Sequence, residues 1–145
     1  MRILGIDYGT RRIGLAVTDE DGLIAQPLMT LKNRGDEVAA IEIARWAQTH
    51  NVRCIVIGLP RRTDERASAM EARVRAFAEV LHRVSSLPVE LFDERFTSAI
   101  AERVLLDADL SRRKRRARRD AIAAAIILQG YLEHHCNKMR NDEQM

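Results

Sequence analysis

Carboxylates fall at the ends of apolar runs in this sequence. Asp7 closes the stretch RILGID, Asp93 and Glu94 close VELFDE, and Asp120 opens the helical pattern DAIAAAIIL. Each has a plain structural role open to it. Asp7 could cap the turn that follows, Asp93 or Glu94 could pair with Arg95, and Asp120 could complement a helix dipole. Taken together they invite a different chemistry. In α/β proteins sites form where strands end, and Ala123, Ala124, Ile127 and Leu128 put Asp120 on the inward face of its helix. Carboxylates partly withdrawn from water repel one another unless a cation lies between them. Oxygen donors without a nearby histidine or cysteine suit Mg²⁺ or Mn²⁺ better than zinc.

Basic residues accompany the acids. In DYGTRRIG, Gly9 and Gly14 would leave a turn open to a phosphate backbone, and Arg11 and Arg12 could donate to its oxygens. In SRRKRRARRD, Arg112, Arg113, Lys114, Arg115, Arg116, Arg118 and Arg119 stand together with no acid among them. The chain carries a net charge of only +3, so without this segment it is acidic. Positive charge concentrated at one place is the footprint of a protein that grips a polyanion.

The elements that must position these groups follow from the apolar pattern. Residues 2–7 and 12–19 read as a hairpin around the DYGTR turn, and LIAQPLMTL as a third strand, which Pro27 assigns to the sheet edge. DEDG at 19–22 is a turn. A helix is expected over 34–51, capped by Asp36 and stopped by Asn51. RCIVIGLP reads as a buried strand. Met70, Val74, Phe77, Leu81 and Val84 form the apolar stripe of a second helix. The strand VELFDE follows, then a helix over 97–109 capped by Thr97, and a last helix through His135. This order predicts a mixed five-stranded α/β sheet, strands 1 to 3 antiparallel and strands 4 and 5 parallel to strand 1, with helices on both faces.

A chain of 145 residues supports one core, expected over 1–138 with a frayed tail over 139–145. No run is long and apolar enough for a membrane span, and the first residues read as a strand, not as a signal peptide. Cys54 in an apolar run and Cys136 near the end form no disulfide framework and, beside His134 and His135, only a weak zinc spacing. A cytoplasmic location is the expectation.

With these residues in view, DYGTRRIGLAV (7–17), VIGLP (56–60), DERFTS (93–98) and DAIAAAIIL (120–128) resemble the signature blocks of the YqgF (RuvX) family, in order and at fitting distances over nearly the whole chain. That family is regarded as Holliday junction resolvases and as nucleases acting at the 5′ end of pre-16S rRNA, on a ribonuclease H-like fold. The resemblance implies catalytic, metal-ligating roles for Asp7, Glu94 and Asp120. It implies hydrolysis of phosphodiester bonds with Mg²⁺ or Mn²⁺ by a two-metal mechanism, leaving a 5′-phosphate and a 3′-hydroxyl. Strand alternation allows only one of Asp93 and Glu94 to face the site. Gly9, Arg11, Arg12, Arg95, Arg112, Arg113, Lys114, Arg115 and Arg116 are the expected nucleic-acid contacts. Two departures stand out: RRTDERAS after GLP in place of a glycine-containing turn, and the arginine-rich segment before Asp120.

Other readings compete. DYGT also resembles the phosphate loop of actin-like ATPases and sugar kinases, which need two such domains to enclose a nucleotide. A non-catalytic RNA-binding module is a second rival, opposed by carboxylates that would repel phosphate without a metal. Structured RNA is the expected partner, with branched DNA the alternative, no membrane, and a monomer or homodimer. Paired cuts in a four-way junction would require two active sites.

Overall fold

The computed structural model describes residues 1–60, 65–97 and 118–143, with side chains described throughout except at 65–67 and 136–143. Strand β1 (Arg2–Asp7) pairs with β2 (Arg12–Thr18), and β2 with β3 (Ala25–Lys32), both antiparallel. Helix α1 (Asp36–Thr49) leads to β4 (Val52–Leu59), helix α2 (Glu65–Ser85) leads to β5 (Val89–Asp93), and a 3₁₀ turn (Glu94–Phe96) follows it directly. Helix α3 (Arg119–Glu143) is the last element. The sheet order is β3-β2-β1-β4-β5, with β4 parallel to both β1 and β5. This is the mixed α/β sheet expected from the sequence.

Pro27 lies in edge strand β3, at a register shift in the pairing with β2, where its missing N–H costs no ladder bond. A second register shift falls between Arg2 and Ile3. There the buried Thr18 hydroxyl accepts from Ile3 N at 2.9 Å. The expected turn at 19–22 forms around Asp19, whose Oδ1 accepts from Leu23 N at 2.8 Å, with Gly22 left-handed at φ 72°.

Strand alternation divides the core in two. Leu4, Ile6, Ile13, Leu15, Ile55 and Ile57 face α1 and α2, where Ile43, Val74, Phe77 and Leu81 meet them. The opposite face, covered by α3, is built of smaller side chains: Ile3, Ala16 and Val56 against Ala124, Ala125, Ile127 and Leu128. Gly5 deepens it. A Cβ at Gly5 would lie 2.7 Å from Leu128 Cβ, so the glycine lets α3 press onto the middle of the sheet.

Two local expectations need correction. Gly35, at φ 123°, takes the N-cap position of α1, and Asp36 is the first helical residue with no side-chain capping bond. Its carboxylate instead accepts from Tyr8 Oη at 2.7 Å. Asn51 ends α1 as expected, left-handed at φ 57°. The last helix continues beyond His135 to Glu143. The helix expected over 97–109 lies outside the described residues except for Thr97; of the loop expected after GLP over 61–68, residues 61–64 also lie outside them, and 65–68 are the start of α2.

Candidate active site

Asp7 is the last residue of β1 and shares its face with Ile3 and Gly5, the face covered by α3. Cross-strand pairing sets its neighbours. Asp7 lies opposite Gly14 on β2, and the Ile6–Ile57 pairing places it beside Gly58 on β4. The row across the sheet is therefore Gly14–Asp7–Gly58, a carboxylate flanked by two positions without side chains.

Each glycine admits a second acid. A Cβ at Gly14 would lie 1.8 Å from the backbone oxygen of Asp120, so the first turn of α3 rests directly on β2. A Cβ at Gly58 would lie 3.0 Å from Glu94 Oε1 and 2.5 Å from Ile127 Cδ1. Residues remote in sequence thus converge on the C-terminal end of β1. Their charges register on Asp7: burial first, then Glu94, then Asp120 push its carboxyl from the ordinary 3.8 up to about 7.

Arg12 and Asp93 complete the electrostatics. Arg12 Nε donates to Asp120 Oδ2 at 2.9 Å, across 108 residues of sequence. Asp93 caps the 3₁₀ turn, accepting from Arg95 N at 2.9 Å and from the Arg95 guanidinium at 2.7 Å through Nη2. Of the two neighbouring acids, Asp93 therefore pairs with Arg95, while Glu94 is the one that acts on Asp7. The sequence left that choice to alternation and resemblance. Among the described residues no three His, Cys, Asp or Glu side chains already surround a common point, consistent with Asp120 being turned onto Arg12.

Gly9 and Gly14 serve a purpose other than openness. A Cβ at Gly9 would meet Arg12 O at 2.4 Å, so Gly9 lets the turn fold onto itself, and Gly14 is filled by α3. Arg11 and Arg12 stand exposed on this turn and Arg95 on the neighbouring one. Arg118 and Arg119 are exposed at the start of α3, and Arg118 Nη2 donates to Pro27 O at 3.0 Å. Arg112, Arg113, Lys114, Arg115 and Arg116 lie outside the described residues.

Sequence reasoning missed the brace behind the turn. Asn33 Nδ2 donates to Gly9 O at 2.9 Å, Asn33 N donates to Arg11 O at 2.8 Å, and Asn33 Oδ1 accepts from Gly35 N at 3.0 Å. With the Tyr8–Asp36 bond, these contacts tie the segment after Asp7 to the start of α1. It also missed Gly58 and Gly5 as packing positions, although the two-residue spacing of Gly5 and Asp7 places them on one face. Cys54 is half-buried, its thiol pushed up to about 11 by burial and then by Glu90, so it is neither a thiolate nor a ready metal ligand.

Comparison with known proteins bears on the family and the fold. A family model described as "RuvX: Holliday junction resolvase" matches residues 1–134. A Moorella thermoacetica protein named as a candidate pre-16S rRNA nuclease is 44% identical over 133 residues, covering 92% of this chain and 95% of its own. A Halothermothrix orenii protein of the same name is 39% identical over 139 residues, covering 96% and 99%. Among solved structures, the fowlpox virus Holliday junction resolvase superposes with TM-score 0.56 at 15% identity, covering 92% of this chain and 99% of its own. T. thermophilus RuvC bound to a Holliday junction gives 0.55 at 14%, covering 90% and 91%. The two structural likenesses establish the ribonuclease H-like fold.

Proposed function

Because the chain belongs to the RuvX family, we propose that it is a nuclease hydrolysing phosphodiester bonds of nucleic acid, with precursor 16S rRNA as its substrate, as the names of its relatives suggest. The observation that carries the reading is the convergence of Glu94 and Asp120 on a buried Asp7, whose carboxyl is raised to about 7 by burial first and then by those two charges. Fixing like charges together is unfavourable for folding alone. It becomes useful when a cation is to be held.

The donor set fits hard divalent ions. It is all carboxylate oxygen at one sheet end, and Cys54, the one cysteine whose side chain is described, is protonated and half-buried. Asp7, Glu94 and Asp120 would hold Mg²⁺ or Mn²⁺, whose chemistry here would be to activate a water and stabilise the leaving oxygen, by two ions as the fold suggests. This chain's own residues do the rest. Asp7 is fixed by its strand and gives up a proton near neutrality. Arg12 keeps Asp120 neutralised until phosphate competes for the guanidinium. Arg11, and the basic segment that leads into α3, bind the backbone without reading sequence.

The test is a Mg²⁺-dependent cleavage assay on pre-16S rRNA fragments, set beside a synthetic four-way junction, with wild type and Asp7→Asn. Cleavage of the RNA by wild type alone, with binding intact or improved in the variant, is expected. Cleavage that survives Asp7→Asn would falsify the catalytic assignment. Binding without cleavage by wild type would leave the RNA-binding module. The four-way junction is the second reading, favoured by the family's description, and preferential paired cutting of it would make that the substrate.

A further inference from the structure

We propose that Phe96 is a nucleobase-stacking platform, seating an unpaired base beside the phosphodiester that the carboxylates address; this rests on the nuclease reading above. The sequence holds only three Phe, two Tyr and one Trp, and their fates differ. Phe77, Phe92, Tyr8 and Tyr131 are buried in the two cores, and Trp46 is half-buried and stacked on His50. Phe96 is 56% exposed. A single exposed apolar side chain is ordinary in itself, so the case rests on where this ring sits and how it is held.

It sits two residues after Glu94, so the two Cα atoms are no more than about 7 Å apart along the chain. The turn that carries it is braced by its own hydrogen bonds. Asp93 accepts from Arg95 N, Glu94 O accepts from Thr97 N at 3.2 Å and from Thr97 Oγ1 at 2.8 Å, and Asp93 grips the Arg95 guanidinium. Below it, α3 supplies a seat. Thr97 Cα would stand 3.3 Å from a Cβ at Gly130, so that glycine admits the turn, and one helical turn later the His134 ring stacks on Phe96 at 5.2 Å and 19°. Phe92 supports the ring from the core at 6.2 Å.

A ring backed by a second ring and mounted on a fixed turn loses little freedom on binding. Every base presents a π-face to such a platform, whatever its identity. A base within a duplex does not, because it is already stacked on its neighbours. The platform therefore selects nucleotides that are unpaired at the cut, as at the edge of a stem, and adds no sequence preference. It supplies a contact that the arginines cannot, one insensitive to salt.

The experiment places 2-aminopurine, whose fluorescence falls on stacking, at successive positions around the cleavage site of an RNA with a single-stranded segment. Binding is read in the Asp7→Asn background, in which no cleavage is expected. Quenching at one position is expected. Phe96→Leu, which retains apolar bulk, should remove the quenching and weaken binding about ten-fold, while Phe96→Trp should restore both at unchanged melting temperature. In the otherwise wild-type protein, Phe96→Leu should slow cleavage at unpaired sites more than at a fully paired one. Equal quenching with and without the ring overturns the platform, as does a change in sedimentation without a change in fluorescence, which would make Phe96 a self-association contact. Because the fluorescence does not depend on cleavage, loss of the nuclease reading and loss of the platform are told apart.

Discussion

Asp7 carries the most informative charge in the molecule, and its consequences can be measured without a substrate. Its carboxyl is raised to about 7 in the fold against 3.8 ordinarily, so the native state binds the extra proton between those values. The contribution of Asp7 to stability therefore falls as pH rises from about 4 to 7, and the full cost persists above 7. Asp7→Asn should raise the melting temperature by a few degrees at pH 8, roughly as expected for a domain of this size, and leave it unchanged near pH 3.5. Proton and cation compete for the same oxygens. Mg²⁺ affinity, read by the melting temperature of wild type, should strengthen as pH rises through 7 and be lost in Asp7→Asn. Arg12 gives a second expectation. Arg12→Gln removes the guanidinium from Asp120, so half-maximal activity should need severalfold less Mg²⁺ while KM for nucleic acid rises. The acids themselves were legible, because each ends or begins an apolar pattern. The Arg12–Asp120 pair was not, since nothing local links groups 108 residues apart.

The elements determine whether those charges meet. Gly14→Ala would drive a methyl group into the backbone of Asp120, a contact of 1.8 Å that no rotamer relieves. Activity and several degrees of melting temperature should go together. Gly58→Ala meets the far end of Ile127 and the Glu94 carboxylate, both able to turn aside. Cleavage should fall at least ten-fold with little change in stability, and equal losses in both variants would contradict this difference. Asn33→Ala should loosen the turn after Asp7 and raise KM more than it lowers kcat. Strand order and edge were readable from Pro27, the turn residues and the apolar runs. The purposes of Gly9 and Gly14 were not, because an open turn and a crowded one call for the same residue. Asp36 was misplaced by one position for a similar reason: the cap rules see a first-turn acid, while Tyr8 draws its side chain elsewhere.

At the scale of the whole molecule, function is polarised. The C-terminal ends of β1, β4 and β5, the first turn of α3 and the exposed Arg11, Arg12 and Arg95 lie together at one end of the sheet. Binding should be dominated by counterion release, with log affinity falling linearly in log salt. Replacing Arg112, Arg113, Lys114, Arg115 and Arg116 with Gln should reduce that slope by roughly 0.7 per lost phosphate contact on single strands, leaving Mg²⁺ affinity alone. A slope that does not change would remove the segment from the binding surface. Its charge was plain in the sequence, whereas its relation to the site was argued only from its adjacency to Asp120.

The bare floor under α3 has a further consequence. Where helix and strand touch backbone to backbone, as at Gly14 and Asp120, the distance of the Asp120 backbone from β2, and so from Asp7 on the neighbouring strand, becomes a fixed gauge set by atomic radii, within which only the carboxylate side chains turn. A gauge of that kind measures whatever enters it. Small ions such as Mg²⁺ and Mn²⁺ should be accepted and the larger Ca²⁺ refused as an activator, and that discrimination should survive core substitutions on the α1–α2 side of the sheet that lower overall stability.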